Sequence, residues 1–493
     1  MASKTSKTYV PTIGLEIHAE LRTETKMFCD SKNDPFASAP NTNVCPVCMG
    51  HPGTLPVINK KAVEHVLRVG VALGAELADF TEFDRKNYFY PDIPKGYQIS
   101  QYKYPLVRGG ALGGVAITRV HLEEDTASSG HDEGDYSLID FNRAGVPLME
   151  LVTEPVIHSA EEAGAFGREL QLLLRTLGVS EANMEKGEMR VEANISVATE
   201  EDTVARKFGT KVEVKNLNSF KAAEKAIAYE VARHIEVIES GGAIVQETRG
   251  WDDSKSKTFS QRLKEESHDY RYFPDPDLPK LKISEIPEFS LDNLRKTIPE
   301  LPWDKRARLA ALGLKPADVH IYVSIPDVGA FFEETIAALG AGDPKKAKKD
   351  AILLASNYIS SDILGLIKKK HGEGREAEIG RLPFGAAGFA ALIRMIENKT
   401  ISSRGAKDIL AEMFENGGDP AKIATERGLV QKSDEGAVKK IALEVIAENP
   451  AVADEYKKGK QASLQFLIGQ GMKKSKGSAN PEVLKTILAS LLS

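Results

Sequence analysis

Hydrophobic and polar residues alternate in several stretches between residue 8 and about residue 290, which is the pattern of half-buried strands. In the segment TYVPTIGLEIHAELR, the apolar residues Leu15, Ile17, Ala19 and Leu21 alternate with polar ones. The segment MRVEANISV has the same period of two, and KVEVKNL is a shorter example. These segments are therefore predicted to be strands with one apolar and one polar face.

Helical patterns interrupt these strands. Ser159 and Glu162 form a capping-box pattern ahead of a long periodic run, which Gly178 would end. Residues 219–239 are predicted to form a second long helix, stopped by the glycine pair that follows. Strands, helices and hairpin-like turns in this order predict an α+β domain built on an antiparallel sheet.

The pattern changes after DYRYFPDPDLPKL, where six prolines between residues 274 and 302 mark a boundary region. Beyond it nearly every periodic segment is helical, as in KKDAILLASNYISSDILGLI and AAGFAALIRMIENK. We predict a sheet-based domain at 1–293, an all-helical middle domain at 294–408 and an all-helical tail at 409–493. The tail carries six lysines and no acidic residue between Tyr456 and Gly477.

Composition limits the class of protein. Hydrophobic residues make up 42% and charged residues 28% of 493 residues, which is typical of a soluble globular protein with several domains. A net charge of -6 does not favour a polyanionic partner, so a nucleic-acid contact would depend on local basic patches. Three cysteines, no signal-peptide pattern and no stretch approaching bilayer-spanning length predict a cytoplasmic protein.

Acidic and histidine side chains in three segments are candidates to bind one divalent cation. Glu16 and His18 share a face of the first predicted strand, although a solvated strand face is the alternative. Glu123 and Glu124 are adjacent in RVHLEED, so both reach one ion only if the strand ends or bulges there. Glu150 lies in the apolar stretch VPLMELV, where an unpaired carboxylate is costly to bury. Such a set suits Mg²⁺ or Mn²⁺ better than zinc.

The segment FDRKNYFYPDIPKGYQISQY mixes Arg85, Lys86 and Lys95 with tyrosines. Cations beside aromatic faces are typical of sites for a nucleotide or an unstacked RNA end, whereas a tyrosine-rich core edge is the alternative. RGGALGGVAIT lacks the Lys-Ser/Thr pair of a phosphate loop and is predicted to be a hairpin turn. The SSG at residues 128–130 is too short a signal for an amidase nucleophile.

The three cysteines form a CxxC pair, Cys45 and Cys48, with Cys29 upstream. Structural zinc usually takes four ligands, so three thiols would need His51 or Asp30 as the fourth. The alternative is a set of three small buried cysteines.

An ordered set of segments resembles the B subunit of the tRNA-dependent amidotransferases over nearly the whole chain. The final part resembles the helical tail shared with YqeY-like proteins. The resemblance implies a cradle-shaped N-terminal domain, a helical domain and a helical tail that holds tRNA. The segments that carry it are GLEIHAEL, FDRKNYFYPDIPKGYQISQY, HLEED, DFNRAGVPLMELVTEP, MRVEANISV, KNLNSF, QETR and DYRYFPDPDL.

The same resemblance implies an ATP-dependent reaction on tRNA. Members of the family phosphorylate the side-chain carboxylate of Glu-tRNA(Gln) or Asp-tRNA(Asn), and ammonia then displaces the phosphate. The family takes ammonia from a separate amidase A subunit, and a small C subunit completes a heterotrimer. We therefore expect ATP and Mg²⁺ as cofactors, and the A subunit, the C subunit and misacylated tRNA as partners.

The resemblance also implies roles for individual residues. The family's Mg²⁺ pocket matches four positions, which are Glu16, His18, Glu123 and Glu124. Glu150 matches a neighbouring acid and is included in the predicted metal set. Lys86 and Arg190 are candidates to stabilise the acyl phosphate or to steer ammonia, and with Glu124 they form the predicted catalytic set.

The cysteines depart from the family pattern. The resemblance implies that family members with the cysteines of a zinc site usually carry an F-C-x-C motif before the C-x-x-C motif. Here Phe28 and Cys29 are followed by Asp30 and Ser31, so that Ser31 stands where the second thiol belongs. We therefore do not expect bound zinc at Cys29, Cys45 and Cys48.

Two other functions fit parts of the sequence. A non-catalytic tRNA-binding scaffold would keep the cradle but would have no need of clustered acids. A free-standing ligase that adds free ammonia to a small acid would have no need of the lysine-rich tail. ATP hydrolysis stimulated by misacylated tRNA would distinguish an amidotransferase from the scaffold, and tRNA binding measured with and without the tail would distinguish it from the ligase.

Overall fold

The computed structural model describes residues 7–36, 39–130, 134–263, 270–431, 435–475 and 479–492. The chain divides into two compact units, Met1–Pro302 and Trp303–Ser493, and each is taken by itself below. The first unit contains the strands, and the second is built from helices. This arrangement confirms the predicted α+β class.

The strands are numbered in chain order. They are β1 (Tyr9–Glu20), β2 (Glu76–Leu77), β3 (Phe80–Thr81), β4 (Asp84–Asn87), β5 (Tyr97–Ser100), β6 (Val107–Arg108), β7 (Ala111–Leu112), β8 (Val115–Glu124), β9 (Ser128–Gly130), β10 (Leu138–Asp140), β11 (Pro147–Thr153), β12 (Met189–Thr199), β13 (Val212–Leu217), β14 (Glu247–Asp252), β15 (Lys257–Leu263), β16 (Phe273–Pro274) and β17 (Leu281–Lys282).

The helices are numbered in the same way. They are α1 (Lys60–Ala72), α2 (Ala160–Thr176), α3 (Glu200–Val204), α4 (Phe220–Glu239), α5 (Leu291–Lys296), α6 (Pro302–Ala311), α7 (Pro316–Ser324), α8 (Pro326–Leu339), α9 (Lys349–Asn357), α10 (Leu364–His371), α11 (Ala386–Glu397), α12 (Ser403–Asn416), α13 (Pro420–Glu426), α14 (Glu435–Glu448), α15 (Pro450–Lys457), α16 (Ala462–Lys474) and α17 (Pro481–Leu492).

One large sheet dominates the first unit. Within the described residues it has ten strands in the order β15–β14–β13–β12–β1–β11–β8–β6–β2, with β7 paired to β8. Its neighbours are antiparallel except β13 and β14, which are parallel. Helix α4 lies between these two in sequence and supplies the crossover that a parallel pair requires. The predicted antiparallel sheet is therefore corrected to a mixed sheet.

Strand β1 lies at the centre of this sheet. Ile17 pairs with Val191 of β12 on one side and with Leu151 of β11 on the other, and all three are buried. Helices α2 and α4 pack together, and α4 packs against β12. Since side chains alternate along a strand, the apolar residues lie on this helix-covered face and the polar residues lie on the other.

The local signals predicted from the sequence are present in the structure. Ser159 caps α2 by accepting the Glu162 amide at 3.0 Å, and Gly178 beyond its end has a φ of +66°. The glycine-rich segment is a hairpin, in which β7 pairs with β8 across Gly113 and Gly114 at φ +57° and +87°. Two positive φ values are those of a type I′ turn, which confirms the hairpin.

The second unit has one stretch, Lys349–His371, that is long and apolar enough to cross a membrane by length and composition alone. This corrects the expectation that no stretch approaches that length. A buried stripe runs along it at Ala355, Ile359, Ile363 and Ile367, each at most 1% exposed. The core helix of a globular unit has the same features.

Both predicted domain boundaries fall within helices, at α5 for 293/294 and at α12 for 408/409. The division into three domains stays a prediction. Helices α14 to α17 share an apolar core of their own, with Val438, Leu467 and Leu484 fully buried. This shared core favours a separate tail region, whose predicted start at residue 409 stays a prediction.

Replacing Ile17 with alanine tests the central packing of the sheet. We expect Ile17→Ala to lower the free energy of unfolding by about 2–5 kcal/mol, because a buried side chain would leave a cavity between the sheet and its helices. Denaturant unfolding followed by circular dichroism measures this loss. Val57→Ala is the control, since Val57 is 72% exposed and should change stability little. Equal losses in both variants would contradict the central position of Ile17 in the core.

Candidate functional site

Three adjacent strands bring one carboxylate between two histidines. His18 of β1 lies opposite Glu150 of β11, and Glu150 lies opposite His121 of β8. The Nε2 atoms of His18 and His121 are 3.3 Å and 3.4 Å from the same oxygen, Oε2 of Glu150. All three side chains belong to the polar face of the sheet. Glu150 therefore links β1 and β8 electrostatically, because its carboxylate contacts one histidine from each of these strands.

Two further carboxylates complete this group, which we call the central cluster (Glu16, His18, His121, Glu123 and Glu150). Glu123 lies two residues after His121, 3.6 Å from its Nε2 and 3.8 Å from Nε2 of His18. Ser100 of β5 donates a hydrogen bond to Glu123 at 2.9 Å. Glu16 has a ligand atom within 4.8 Å of those of His18 and Glu150.

A second group of acids adjoins the central cluster through Glu16. Glu192 of β12 lies opposite Glu16, and Glu16, Glu192 and Glu213 have oxygens within 4.8 Å of one another. Lys215 of β13 lies 2.8 Å from Glu192 and 3.6 Å from Glu213. Thr248 donates a hydrogen bond to Glu213 at 2.7 Å. The ammonium of Lys215 partly balances these carboxylates.

The charges in the central cluster act strongly on each other because they are buried. Burial alone would lower the pKa of His121, but the carboxylates of Glu150 and Glu123 outweigh it and raise that pKa to about 9. Burial would raise the pKa of Glu150, yet His121 and His18 hold it well below its usual range. Burial, Glu150 and Glu192 raise the pKa of Glu16. The two histidines are thus among the cations that balance the acids, together with Arg119, which lies 3.4 Å from the other oxygen of Glu150.

The central cluster fits a divalent cation. Two overlapping trios, Glu16–His18–Glu150 and His121–Glu123–Glu150, each bring their ligand atoms within 4.8 Å of one another. Carboxylate oxygens with imidazole nitrogens are donors that suit Mg²⁺ or Mn²⁺. Nδ1 of His18 is also buried and has no hydrogen-bond partner among the described residues, so no neighbouring group fixes the protonation of this nitrogen.

Lys86 and Arg190 lie beside this cluster. Burial opposes the charge of Lys86, but Glu123 and Glu150 raise its pKa, and its Nζ lies 5.1 Å from the centre of the Tyr270 ring. Arg190 lies opposite His18 and donates to Asp125 at 2.9 Å. Both predicted cations are therefore near the predicted metal residues, and Arg190 is already paired with an acid.

Glu124 is separated from the central cluster. No bulge interrupts β8 at this point, so Glu123 and Glu124 point to opposite faces of the strand. The carboxylate of Glu124 contacts Lys95 Nζ at 2.6 Å and accepts the Ile99 amide at 2.9 Å. It lines a cavity of about 230 Å³ that Cys29 and Cys48 also line. The strand end or bulge that would bring both acids to one ion is therefore absent at this point of β8, and the predicted roles of Glu123 and Glu124 in metal binding stay predictions.

The aromatic segment divides into two parts. Arg85 is tied to Asp275 and Asp277, and its guanidinium lies 4.3 Å from the centre of the Tyr97 ring, so that it belongs to the packing of β4 and β5. Phe89 and Tyr90 are instead 91% and 69% exposed. The core-edge alternative describes the first part, whereas the second part is available to a partner.

The cysteines approach one another without completing a zinc site. The sulfurs of Cys29, Cys45 and Cys48 lie within 4.8 Å of one another, and neither His51 nor Asp30 joins them among the described residues. Ser31 Oγ and Lys26 Nζ each lie 3.8 Å from the sulfur of Cys48. An ammonium in this position repels a zinc ion, so the donor set does not fit zinc.

Comparison with known proteins identifies the family. Residues 11–287 match the family described as the GatB/GatE catalytic domain, and residues 331–492 match the GatB domain. The chain belongs to the GatB family of amidotransferase subunits. It is therefore a subunit of a tRNA-dependent amidotransferase, which confirms the resemblance.

Similar GatB proteins match along almost their whole length. The B subunit of the aspartyl/glutamyl-tRNA(Asn/Gln) amidotransferase of Carboxydothermus hydrogenoformans is 43% identical over 493 residues, covering 97% of this chain and 98% of that protein. The B subunit of the Thermus thermophilus enzyme is 44% identical over 488 residues, covering 98% and 99%. The B subunit of the Persephonella marina enzyme is 44% identical over 493 residues, with the same coverage.

Sequence reasoning did not select several residues of this GatB site. His121 stands two positions before Glu123, so the period-2 rule that paired Glu16 with His18 also puts these two on one face. Glu192 lies on the polar face of the predicted strand MRVEANISV, but its pairing with Glu16 depends on strand order. Glu213 lies on the polar face of the shorter predicted strand KVEVKNL, but its approach to Glu192 and Thr248 also depends on strand order.

The two adjacent acids of β8 offer a matched test of cation binding. We expect Glu123→Gln to weaken Mn²⁺ binding at least about tenfold, because even groups outside the first coordination shell typically contribute 10–100-fold. Glu124→Gln should leave the affinity unchanged, since its carboxylate pairs with Lys95. Mn²⁺ titration followed by electron paramagnetic resonance measures both affinities. The reverse order of effects would move the cation site to the other face of β8.

Proposed function

We propose that this GatB subunit activates the side-chain carboxylate of a tRNA-bound glutamate or aspartate with ATP and converts it to the amide. The ammonia would come from a partner glutaminase A subunit. The observation that carries the proposal is the central cluster, in which acids and histidines of three strands converge beside Lys86. A tRNA-binding scaffold does not need such a concentration of buried charge, because burying it is costly.

The chemistry explains why such a site is needed. A free carboxylate does not release its oxygen to ammonia, whereas an acyl phosphate releases phosphate readily. Phosphoryl transfer concentrates negative charge on oxygens that repel the site's own carboxylates. A Mg²⁺ ion held by residues of the central cluster would supply the opposing charge. The names of the similar proteins, which include both aspartyl and glutamyl tRNA, support either amino acid as substrate.

Residues of this chain have distinct tasks in the proposed reaction. Lys86 would bind phosphate oxygens. Its ammonium interacts with Glu123 and Glu150, so it is placed to stabilise the negative charge that develops beside them during phosphoryl transfer. Arg190 would orient the reacting end of the tRNA while Asp125 holds its guanidinium in place. The exposed rings of Phe89 and Tyr90 offer stacking surfaces for an unpaired base.

The proposed complex has three kinds of partner. The similar proteins are B subunits by name, which supports a multi-subunit enzyme with an amidase A subunit and a small C subunit as the expected companions. The lysine-rich stretch of the tail supports tRNA as the third partner. Lys457, Lys458 and Lys473 form no ion pair within the described part of the chain, so they remain available to phosphates.

Glu150→Gln tests the catalytic role of the central cluster. We expect tRNA-dependent ATP cleavage and amidation to fall roughly a thousandfold, because the neutral amide leaves the transition-state charge poorly balanced. Both misacylated tRNAs should be assayed with the assembled A, B and C subunits. Assembly should survive, as gel filtration would check.

The control for this variant is Glu181→Gln, whose side chain is 63% exposed and pairs with Arg22. It removes the same charge from an exposed ion pair outside the central cluster and should keep full activity. Formation of Gln-tRNA by Glu150→Gln at a rate near that of the unaltered enzyme would overturn the proposal.

Removing three tail lysines tests the proposed tRNA contact. Exchange of Lys457, Lys458 and Lys473 for glutamine should weaken tRNA binding, because fewer phosphate contacts release fewer counterions. The salt dependence of the logarithm of affinity should become shallower by about one unit per lost contact. Filter binding across a salt series measures both quantities.

The matched control removes the same number of charges at Lys368, Lys369 and Lys370, at the end of α10. Glutaminase activity of the partner subunit should be unchanged in both variants. An unaltered salt slope for the tail variant would show that tRNA binds elsewhere.

A further inference from the structure

A buried ammonium lies beside the three cysteines. Lys26 has 0% exposure, and no carboxylate lies within 4 Å of its Nζ among the described residues. Its neighbours are the carbonyl oxygen of Phe141 at 3.1 Å and the sulfur of Cys48 at 3.8 Å. A buried ammonium needs a nearby anion, and the carbonyl supplies only a dipole. The sulfur of Cys48 is the group that can provide the charge.

Hydrogen-bond donors converge on this sulfur. The backbone amide of Cys45 points to it at 3.1 Å, and the Ser31 hydroxyl and Lys26 ammonium each lie 3.8 Å away. Donors on several sides favour the thiolate over the thiol. The hydroxyl of Ser31, which stands where the expected set of four thiols has a cysteine, can donate a hydrogen bond to a Cys48 thiolate.

A second thiol is close enough to react with the first. The sulfur of Cys45 lies 3.9 Å from that of Cys48, and the Met49 amide closes a single turn onto the Cys45 carbonyl. A disulfide requires about 2.05 Å between the sulfurs, a distance that side-chain rotation in such a turn can supply. The cavity of about 230 Å³ lined by Cys48 gives a small oxidant access to it.

We propose that Cys45 and Cys48 form a redox-active dithiol, in which Lys26 takes the position of a metal cation and Cys48 is the nucleophile. The oxidant is hydrogen peroxide. The Cys48 thiolate attacks one peroxide oxygen, the O–O bond breaks, and the hydroxide that leaves takes up one proton to become water, so that Cys48 carries a sulfenic acid. The Cys45 thiol then attacks this sulfur, and a second water leaves as the disulfide forms.

The first test follows the thiols of the full-length, reduced chain during treatment with hydrogen peroxide. Peptide mapping after alkylation should show Cys45 joined to Cys48 and Cys29 still alkylated. In Cys45→Ser, dimedone should trap a sulfenic acid on Cys48. Cys29→Ser is the matched control and should form the same disulfide. A Cys29–Cys48 disulfide in the unaltered chain would overturn the assignment.

The second test concerns the ammonium. Lys26→Met should slow the reaction of Cys48 with peroxide roughly tenfold to thirtyfold at pH 7, because an ordinary thiol is only a few per cent ionised there. The pH dependence of the Cys48 reaction rate can be measured in the unaltered chain, so this second measurement does not depend on whether Lys26→Met folds. Because Cys48 of the unaltered chain is already a thiolate, the rate should stay nearly constant between pH 6 and pH 8 instead of rising about tenfold per unit.

Metal analysis of the purified chain could contradict the proposed dithiol. One tightly bound zinc per chain, retained through desalting and protecting Cys48 from peroxide, would overturn the dithiol. A Cys48 rate that rises with pH like that of a free thiol would do the same. Protein without zinc and with a pH-independent rate supports Lys26 as the resident cation.

Discussion

The pairing of Glu150 with two histidines is the constraint on which the polar face of the large sheet depends. This carboxylate is only 6% exposed, and a buried charge of that kind persists only among groups of opposite charge. His18 and His121 reach it from the strands on either side. A shift of one residue in either pairing would turn a histidine to the apolar face, so electrostatics and strand register fix each other.

This constraint separates what local sequence could predict from what it could not. Period-2 alternation was sufficient for β1 and β12 and for the shared face of Glu16 and His18, because alternation is a property of a single strand. The contact between Glu16 and Glu192 depends on which strands are neighbours, and nothing near either residue encodes that choice. The parallel pair β13–β14 was not predicted for the same reason. Helix α4 forms a crossover between the two strands, so β14 runs in the same direction as β13.

Adjacent residues show the limit of motif reasoning most clearly. In the HLEED segment two adjacent glutamates suggest a shared function. However, β8 continues through both without a bulge, so their side chains lie on opposite faces of the strand. Glu123 joins the central cluster, whereas Glu124 joins Lys95. In the cysteine segment the count of thiols predicts that zinc would lack a fourth ligand, and this stays a prediction. The position of Lys26 could not be predicted, because nothing in its surrounding sequence indicates that this lysine is fully buried.

The position of β1 has a consequence for how the chain is made. Its partners, β11 and β12, begin at Pro147 and Met189, so the first strand leaves the ribosome long before either of them exists. Contacts between such distant segments are slow to form, and an unpaired central strand with residues such as Leu15 and Ile17 invites association with other chains. During synthesis of the first unit, β1 therefore stays without its complete set of neighbouring strands until nearly two hundred residues have been translated, and a chaperone that binds this segment would prevent such association.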